Sequence, residues 1–224
     1  MKVILAGLLL LGFVSNAAQA AVLEQYTTGT ATPTTIGTFA MTDFAYTGAT
    51  TGTGTSVASP ISGSLLFEDI NGDEANMMLS TADYNDWWAN SEGTDYDVYL
   101  TSQLHYVTIV LPENTRAFSF NVGANMNASG WLTATESTTG SDPLLYTTFS
   151  AGSGNTPGYG IYADKGSCSS ITSVTIDPTF IWGFGNFSIN QDSCTSVPET
   201  SSVFLFGLGL LGLLGLLGLA RRKV

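Results

Sequence analysis

Basic side chains are scarce in this chain of 224 residues, with six Lys and Arg against 18 Asp and Glu. Only Arg116 and Lys165 fall within residues 21–196, which hold 17 of the acids and carry a formal charge of −15. Phosphate recognition needs clustered Lys and Arg, so nucleic acid is excluded as a partner. There is one histidine, His105, and it sits in Leu104-His105-Tyr106-Val107. That context reads as a strand residue rather than an exposed base, which argues against Ser/His/Asp and Cys/His chemistry. Zinc-ligand sets, phosphate-cradling glycine loops and nucleotide fingerprints are missing. So is long helical periodicity. Cysteine is limited to Cys168 and Cys194, 26 positions apart, which allow a single bridge. In an oxidising compartment, closing a loop of that length stabilises by roughly 3–4 kcal/mol in the chain-entropy model.

What is present is concentrated at the two ends. Lys2 supplies a basic start, residues 3–14 are apolar, and Ala18-Gln19-Ala20 is an A-x-A site. These features predict a secretory signal peptide over 1–20, cut at Ala20. At the other end, Val197-Pro198-Glu199-Thr200 precedes an uncharged run over 203–220, followed by Arg221, Arg222 and Lys223. Eighteen apolar residues form a helix of roughly 27 Å, close to the bilayer hydrocarbon thickness. Gly209, Gly212, Gly215 and Gly218 lay a shallow groove of small residues along it, a feature that permits close helix approach in lipid. The three cations form a cytoplasmic stop and leave the body on the far side of the membrane.

In order and spacing, residues 197–224 resemble the PEP-CTERM sorting signal of Gram-negative bacteria. Val197, Pro198 and Glu199 match its motif, and Thr200 stands where that motif has a second proline. The resemblance covers the tail and nothing of the body. It implies cleavage near the motif by an exosortase-type membrane peptidase. It also implies release or attachment at the cell surface, alongside extracellular polysaccharide.

The body, 21–196, is rich in threonine, with 29 in 176 residues. Threonine, aromatic and β-branched residues favour pleated sheet, and Ser, Thr and Gly disfavour helix. Strands are predicted over 39–46, 61–67, 96–101, 103–111, 116–122, 130–136, 144–149, 158–163, 171–177 and 180–189. In 116–122, Phe118, Phe120 and Val122 alternate with Ser119 and Asn121. Pro112-Glu113-Asn114-Thr115 reads as a tight hairpin turn joining that strand to the one before it. Residues 47–60 read as a mobile Thr/Gly/Ser loop. About ten short strands with frequent turns predict an all-β, two-sheet antiparallel sandwich of jelly-roll type. A single transmembrane helix is expected to follow it over 203–220.

Two clusters in the body are candidate sites. Asp69, Asn71 and Asp73 alternate as the first three oxygen ligands of a calcium loop do. Glu74 stands where such a loop needs glycine, and Ser80 where it needs a bidentate acid, so calcium is a candidate ion and no other cofactor is called for. Trp87 and Trp88 lie between Asp83-Tyr84-Asn85-Asp86 and Glu92. Indole faces beside carboxylates suit sugar rings, which makes them a candidate glycan platform. The chain is thus expected to be an exported, acidic, non-enzymatic surface or matrix protein. A carbohydrate- or calcium-binding module is the alternative, and a glycan-acting hydrolase ranks behind it.

Overall fold

The computed structural model describes residues 22–26, 32–49, 51–81, 97–101, 106–124, 126, 128–137, 143–151, 156–163, 168–178 and 182–193. These form sixteen strands and no helix among the described residues. The first six are β1 (Val22–Tyr26), β2 (Thr35–Ile36), β3 (Phe39–Ala40), β4 (Thr42–Asp43), β5 (Thr53–Gly54) and β6 (Ser56–Ala58). Next come β7 (Ser64–Glu68), β8 (Met77–Thr81), β9 (Asp97–Leu100), β10 (Val107–Val110) and β11 (Thr115–Ala124). The last five are β12 (Ala128–Glu136), β13 (Pro143–Ala151), β14 (Gly158–Tyr162), β15 (Ile171–Pro178) and β16 (Trp182–Gln191).

Two large antiparallel sheets result. One has eight strands in the order β1-β14-β11-β16-β9-β8-β5, with β4 also paired to β16. The other has six, in the order β13-β12-β15-β10-β7-β6. The last eight strands are nested antiparallel pairs: β12 with β13, β11 with β14, β10 with β15, and β9 with β16. The chain therefore runs out and back as one long hairpin wrapped across both sheets. Pairing of β11 with β16 and of β12 with β15 closes the Greek keys. That is jelly-roll topology, as the short strands and frequent turns predict.

The core lies between the sheets. Leu65, Phe67, Ile109, Leu132, Val174 and Ile176 from the six-stranded sheet meet Phe118, Phe120, Ile161, Trp182, Phe184 and Ile189 from the eight-stranded one. The Phe67 ring bridges the two, 5.2 Å from Tyr99 and 5.3 Å from Phe184. Tilted rings at these separations add to the area they bury.

One irregularity shapes the sandwich. Asn186 takes a left-handed conformation, φ 55°, and the β11–β16 register slips by one residue between Ser119↔Ser188 and Asn121↔Gly185. This bulge reverses the face on which side chains of β16 fall. Trp182 and Phe184 before it, and Phe187 and Ile189 after it, consequently all enter the same core. It also divides β16 between two neighbours, β9 over Gly183–Gly185 and β4 over Ser188–Ile189. Gly185 is required there, because a Cβ would strike the Asp97 carbonyl oxygen.

Three sequence expectations are corrected. Pro112-Glu113-Asn114-Thr115 is not a hairpin turn, since β10 lies in the six-stranded sheet and β11 in the eight-stranded one. It is an arch that carries the chain across the sandwich. Asn114 at φ 61° and the Thr115 hydroxyl donating to the Pro112 carbonyl (2.7 Å) set the bend. The stretch 47–60 is not wholly loop: β5 pairs with β8 and β6 with β7. Residues 39–46 form two short strands, β3 and β4, and then irregular chain over 44–49.

Candidate functional site

The outer face of the eight-stranded sheet is covered over β11 and β14. A strap over residues 32–41 crosses it there before the chain joins the same sheet as β4, and all ten residues of β11 are buried. Ile36 and Phe39 of the β2–β3 hairpin pack on Ala117, with Met41 and Tyr162 alongside. Gly160 makes room for this, since a Cβ there would lie 2.5 Å from Ile36 Cδ1. The strap and the chain following it are tied down by polar groups. Phe44 N–H donates to the Phe187 carbonyl (3.0 Å), Asn190 Nδ2 to the Ala40 carbonyl (2.8 Å), and Thr47 N–H to the Asp97 carboxylate (3.1 Å).

Beneath the strap the polar residues of β11 are paired. Ser119 and Ser188 share a hydroxyl hydrogen bond of 2.6 Å. Asn186 donates to Asn121, Asn121 to the Thr156 carbonyl, and the Thr32 hydroxyl to Asn186, each at 2.9 Å. Arg116 is also buried, its guanidinium 5.5 Å from the Phe39 ring centroid. It donates to the Ser169 carbonyl (2.6 Å), while the Ser169 hydroxyl donates to the buried Glu136 carboxylate (3.1 Å). This network joins β11 of one sheet to β12 of the other through the residue next to Cys168. One of the body's two basic side chains is therefore committed to structure.

Cys168 is disulfide-bonded; Cys194 lies outside the described residues. So do Ala18, Ala20, Val197, Pro198, Glu199, the span 203–220, and Arg221, Arg222 and Lys223, as well as Trp87, Trp88 and His105. No helix among the described residues is long and apolar enough to cross a membrane.

Asp69, Asn71 and Asp73 are brought together at the tip following β7. The Asp69 carboxylate accepts the Asn71 N–H (2.8 Å), the Asp73 N–H (3.0 Å) and the Asn71 side-chain amide (3.2 Å). These bonds, the Asn71 N–H first, hold its pKa below the ordinary carboxylate value. The carboxylate thus closes its own loop as an Asx turn. Among the described residues, no three His, Cys, Asp or Glu side chains gather as a metal-ligand set.

A groove of about 520 Å³ opens at one end of the sandwich, walled by Ile61, Leu66, Val110, Pro112, Glu113 and Gln191 among others. The Gln191 amide is fully engaged. Its oxygen accepts from the Ser59 hydroxyl (2.7 Å) and Ser62 N–H (3.1 Å), and its nitrogen donates to the Ser62 (3.0 Å) and Glu113 (2.9 Å) carbonyls. Gln191 is a clamp between loops.

The outer face of the six-stranded sheet is different. Trp131 there is 44% exposed beside Asp177 and Thr148, its register partners on β15 and β13. Trp131 is not among the candidates that the sequence singles out, which are Trp87 and Trp88. The signal was the phase of 130–136: Leu132 and Ala134 point inward, so Trp131, Thr133 and Thr135 point outward.

No family model matches the chain, and no curated protein matches it. Among solved structures it is similar to the K2 cleaved adhesin domain of Lys-gingipain, at 9% identity and a TM-score of 0.27, over 68% of this chain and 98% of that one. It is also similar to the K1 domain from Porphyromonas gingivalis W83, at 14% identity and a TM-score of 0.14, over 76% and 99%. Likeness at this level carries no argument about what the chain does.

Proposed function

We propose that this is an exported, non-enzymatic protein of the cell surface or extracellular matrix. Its body is an acidic jelly roll, and its C-terminus is a PEP-CTERM-like sorting signal. The observation that carries the reading is the order of three elements: Val197-Pro198-Glu199, the uncharged span 203–220, and the stop Arg221-Arg222-Lys223. The route runs through export, cleavage at Ala20, arrest by a transmembrane helix over 203–220, and cutting near Pro198-Glu199 by an exosortase-type peptidase. The role is structural or adhesive, in contact with extracellular polysaccharide.

Features of the body support this reading. Strand β1 begins at Val22, so cleavage at Ala20 leaves every strand among the described residues intact. A disulfide at Cys168 suits an oxidising compartment. The buried polar groups under the strap are bonded within their sheet, and Arg116 and Ser169 link it to Glu136 of the other, which suits a scaffold. The test is replacement of Pro198 and Glu199 by alanine. Uncut protein should then accumulate in the membrane fraction; normal maturation of the variant would end the sorting assignment.

A further inference from the structure

We propose that the outer face of the six-stranded sheet is a binding platform for a neutral polysaccharide, with Trp131 as its stacking residue. The proposal deepens the surface role above and rests on it for the setting. Its evidence comes from the sheet itself.

Three rows of outward residues cross this face. Register pairing sets Thr148, Trp131 and Asp177 side by side on β13, β12 and β15. Two residues along, Thr133, Thr175, Thr108 and Glu68 run across β12, β15, β10 and β7. Beyond these lie Thr135, Ser173, Val110 and Leu66. The second row spans three strand spacings, roughly 14 Å. Asp177, Thr148 and Trp131 are exposed, while Thr133, Thr175 and Thr108 are half-buried. The Thr108 and Thr175 hydroxyls lie 2.9 Å apart and hydrogen-bond each other, which holds this part of the row in fixed positions.

The chemistry selects one class of ligand. An indole face accepts the C–H face of a pyranose, and carboxylate and hydroxyl groups beside it accept and donate hydrogen bonds to sugar hydroxyls. Charge removes the other polymers. The described outward residues of these rows include two acids, Asp177 and Glu68, and no base. Arg116 is buried at the opposite sheet. Uronate, sulfate or phosphate polymers would meet only repulsion here, and an acidic chain repels them at longer range too. A neutral hexose polymer avoids that penalty. On the opposite sheet the strap covers β11 and β14.

Affinity electrophoresis of the full chain, purified in mild detergent from exporting cells, tests this. The gels contain hydroxyethylcellulose, amylopectin or galactomannan as neutral polymers, and alginate as the anionic one. Retardation by at least one neutral polymer and none by alginate is expected. Trp131→Ala should weaken that retardation by about tenfold, and Asp177→Asn by about threefold. Because Trp131 is half exposed, its replacement should leave the thermal melt in place; if it does not, Asp177→Asn decides. No retardation by any neutral polymer, preference for alginate, or variants that are retarded like the parent would overturn the proposal. Protein cut at its C-terminus yet unretarded ends this inference alone. Uncut protein that is retarded ends only the sorting reading.

Discussion

The two sheets share a core but meet the outside differently. In the eight-stranded sheet, β11 is buried at every position and β16 at its first eight. In the six-stranded sheet, β10 alternates buried and half-buried, in the pattern of a sheet with one solvated face. The difference is made by the strap over 32–41, which lays a third layer over β11 and β14. Serine and asparagine thus play opposite parts to threonine. Ser119 and Ser188 are sealed in and bonded to each other, and Asn121 to Asn186, while Thr133, Thr175 and Thr108 line the less covered face. The covered sheet is fixed by its buried polar groups, and the other carries a row of half-buried threonines.

The contrast can be tested by substitution. The largest effect is expected from Arg116→Ala. It removes the guanidinium stacked over Phe39 and the bond to Ser169, at a cost of about 4 kcal/mol in denaturant unfolding. A cost under about 1 kcal/mol would mean that the strap is not anchored there. Ile36→Ala should cost about 3 kcal/mol, since Ile36 is fully buried between the strap and Ala117. If it costs no more than a surface change, the third layer is absent in solution.

Alkaline pH should also unfold the protein through its core. Burial pushes the Tyr159 hydroxyl up to about 12 from 10.0, and burial followed by the Asp97 charge raises Tyr99 as well. A raised folded pKa stabilises fully below the unfolded value and is lost as pH rises through the folded one. Stability should therefore hold up to about pH 10 and fall as pH approaches about 12. Ultraviolet titration of tyrosinate, read beside circular dichroism, checks this. Tyrosines that all ionise near pH 10 in folded protein would contradict it. The smallest effect belongs to the open face. Thr108→Ala or Thr175→Ala breaks one half-buried hydroxyl pair and should cost roughly 0.5–1 kcal/mol.

Much of the architecture is legible in the sequence, because strand signals here are local. Alternation in 116–122 and the turn residues around it point to a sandwich, and nested pairing of the last eight strands delivers the jelly roll. What was illegible depends on distant partners. Residues 47–60 have weak local preference, yet Thr53–Gly54 and Ser56–Ala58 become strands because β8 and β7 offer them free edges. Pro112-Glu113-Asn114-Thr115 has the composition of a hairpin turn, and only the separate pairings of β10 and β11 make it an arch. The burial of Arg116 and Asn121 follows from a strap nearly eighty residues upstream, which no local pattern announces. For the site, the calcium spacing at Asp69 is visible in sequence. That its carboxylate is turned onto its own loop is not. Trp131 is legible from strand phase, while the adjacent pair Trp87-Trp88 lies outside the described residues.

Intact-mass spectrometry of the protein recovered from the cell surface or medium tests the account most directly. It should find a polypeptide that starts at Ala21, ends close to Pro198-Glu199 and lacks the two hydrogens lost to one disulfide. A chain still carrying Arg221-Arg222-Lys223 and ending at Val224, free in the medium, would contradict it.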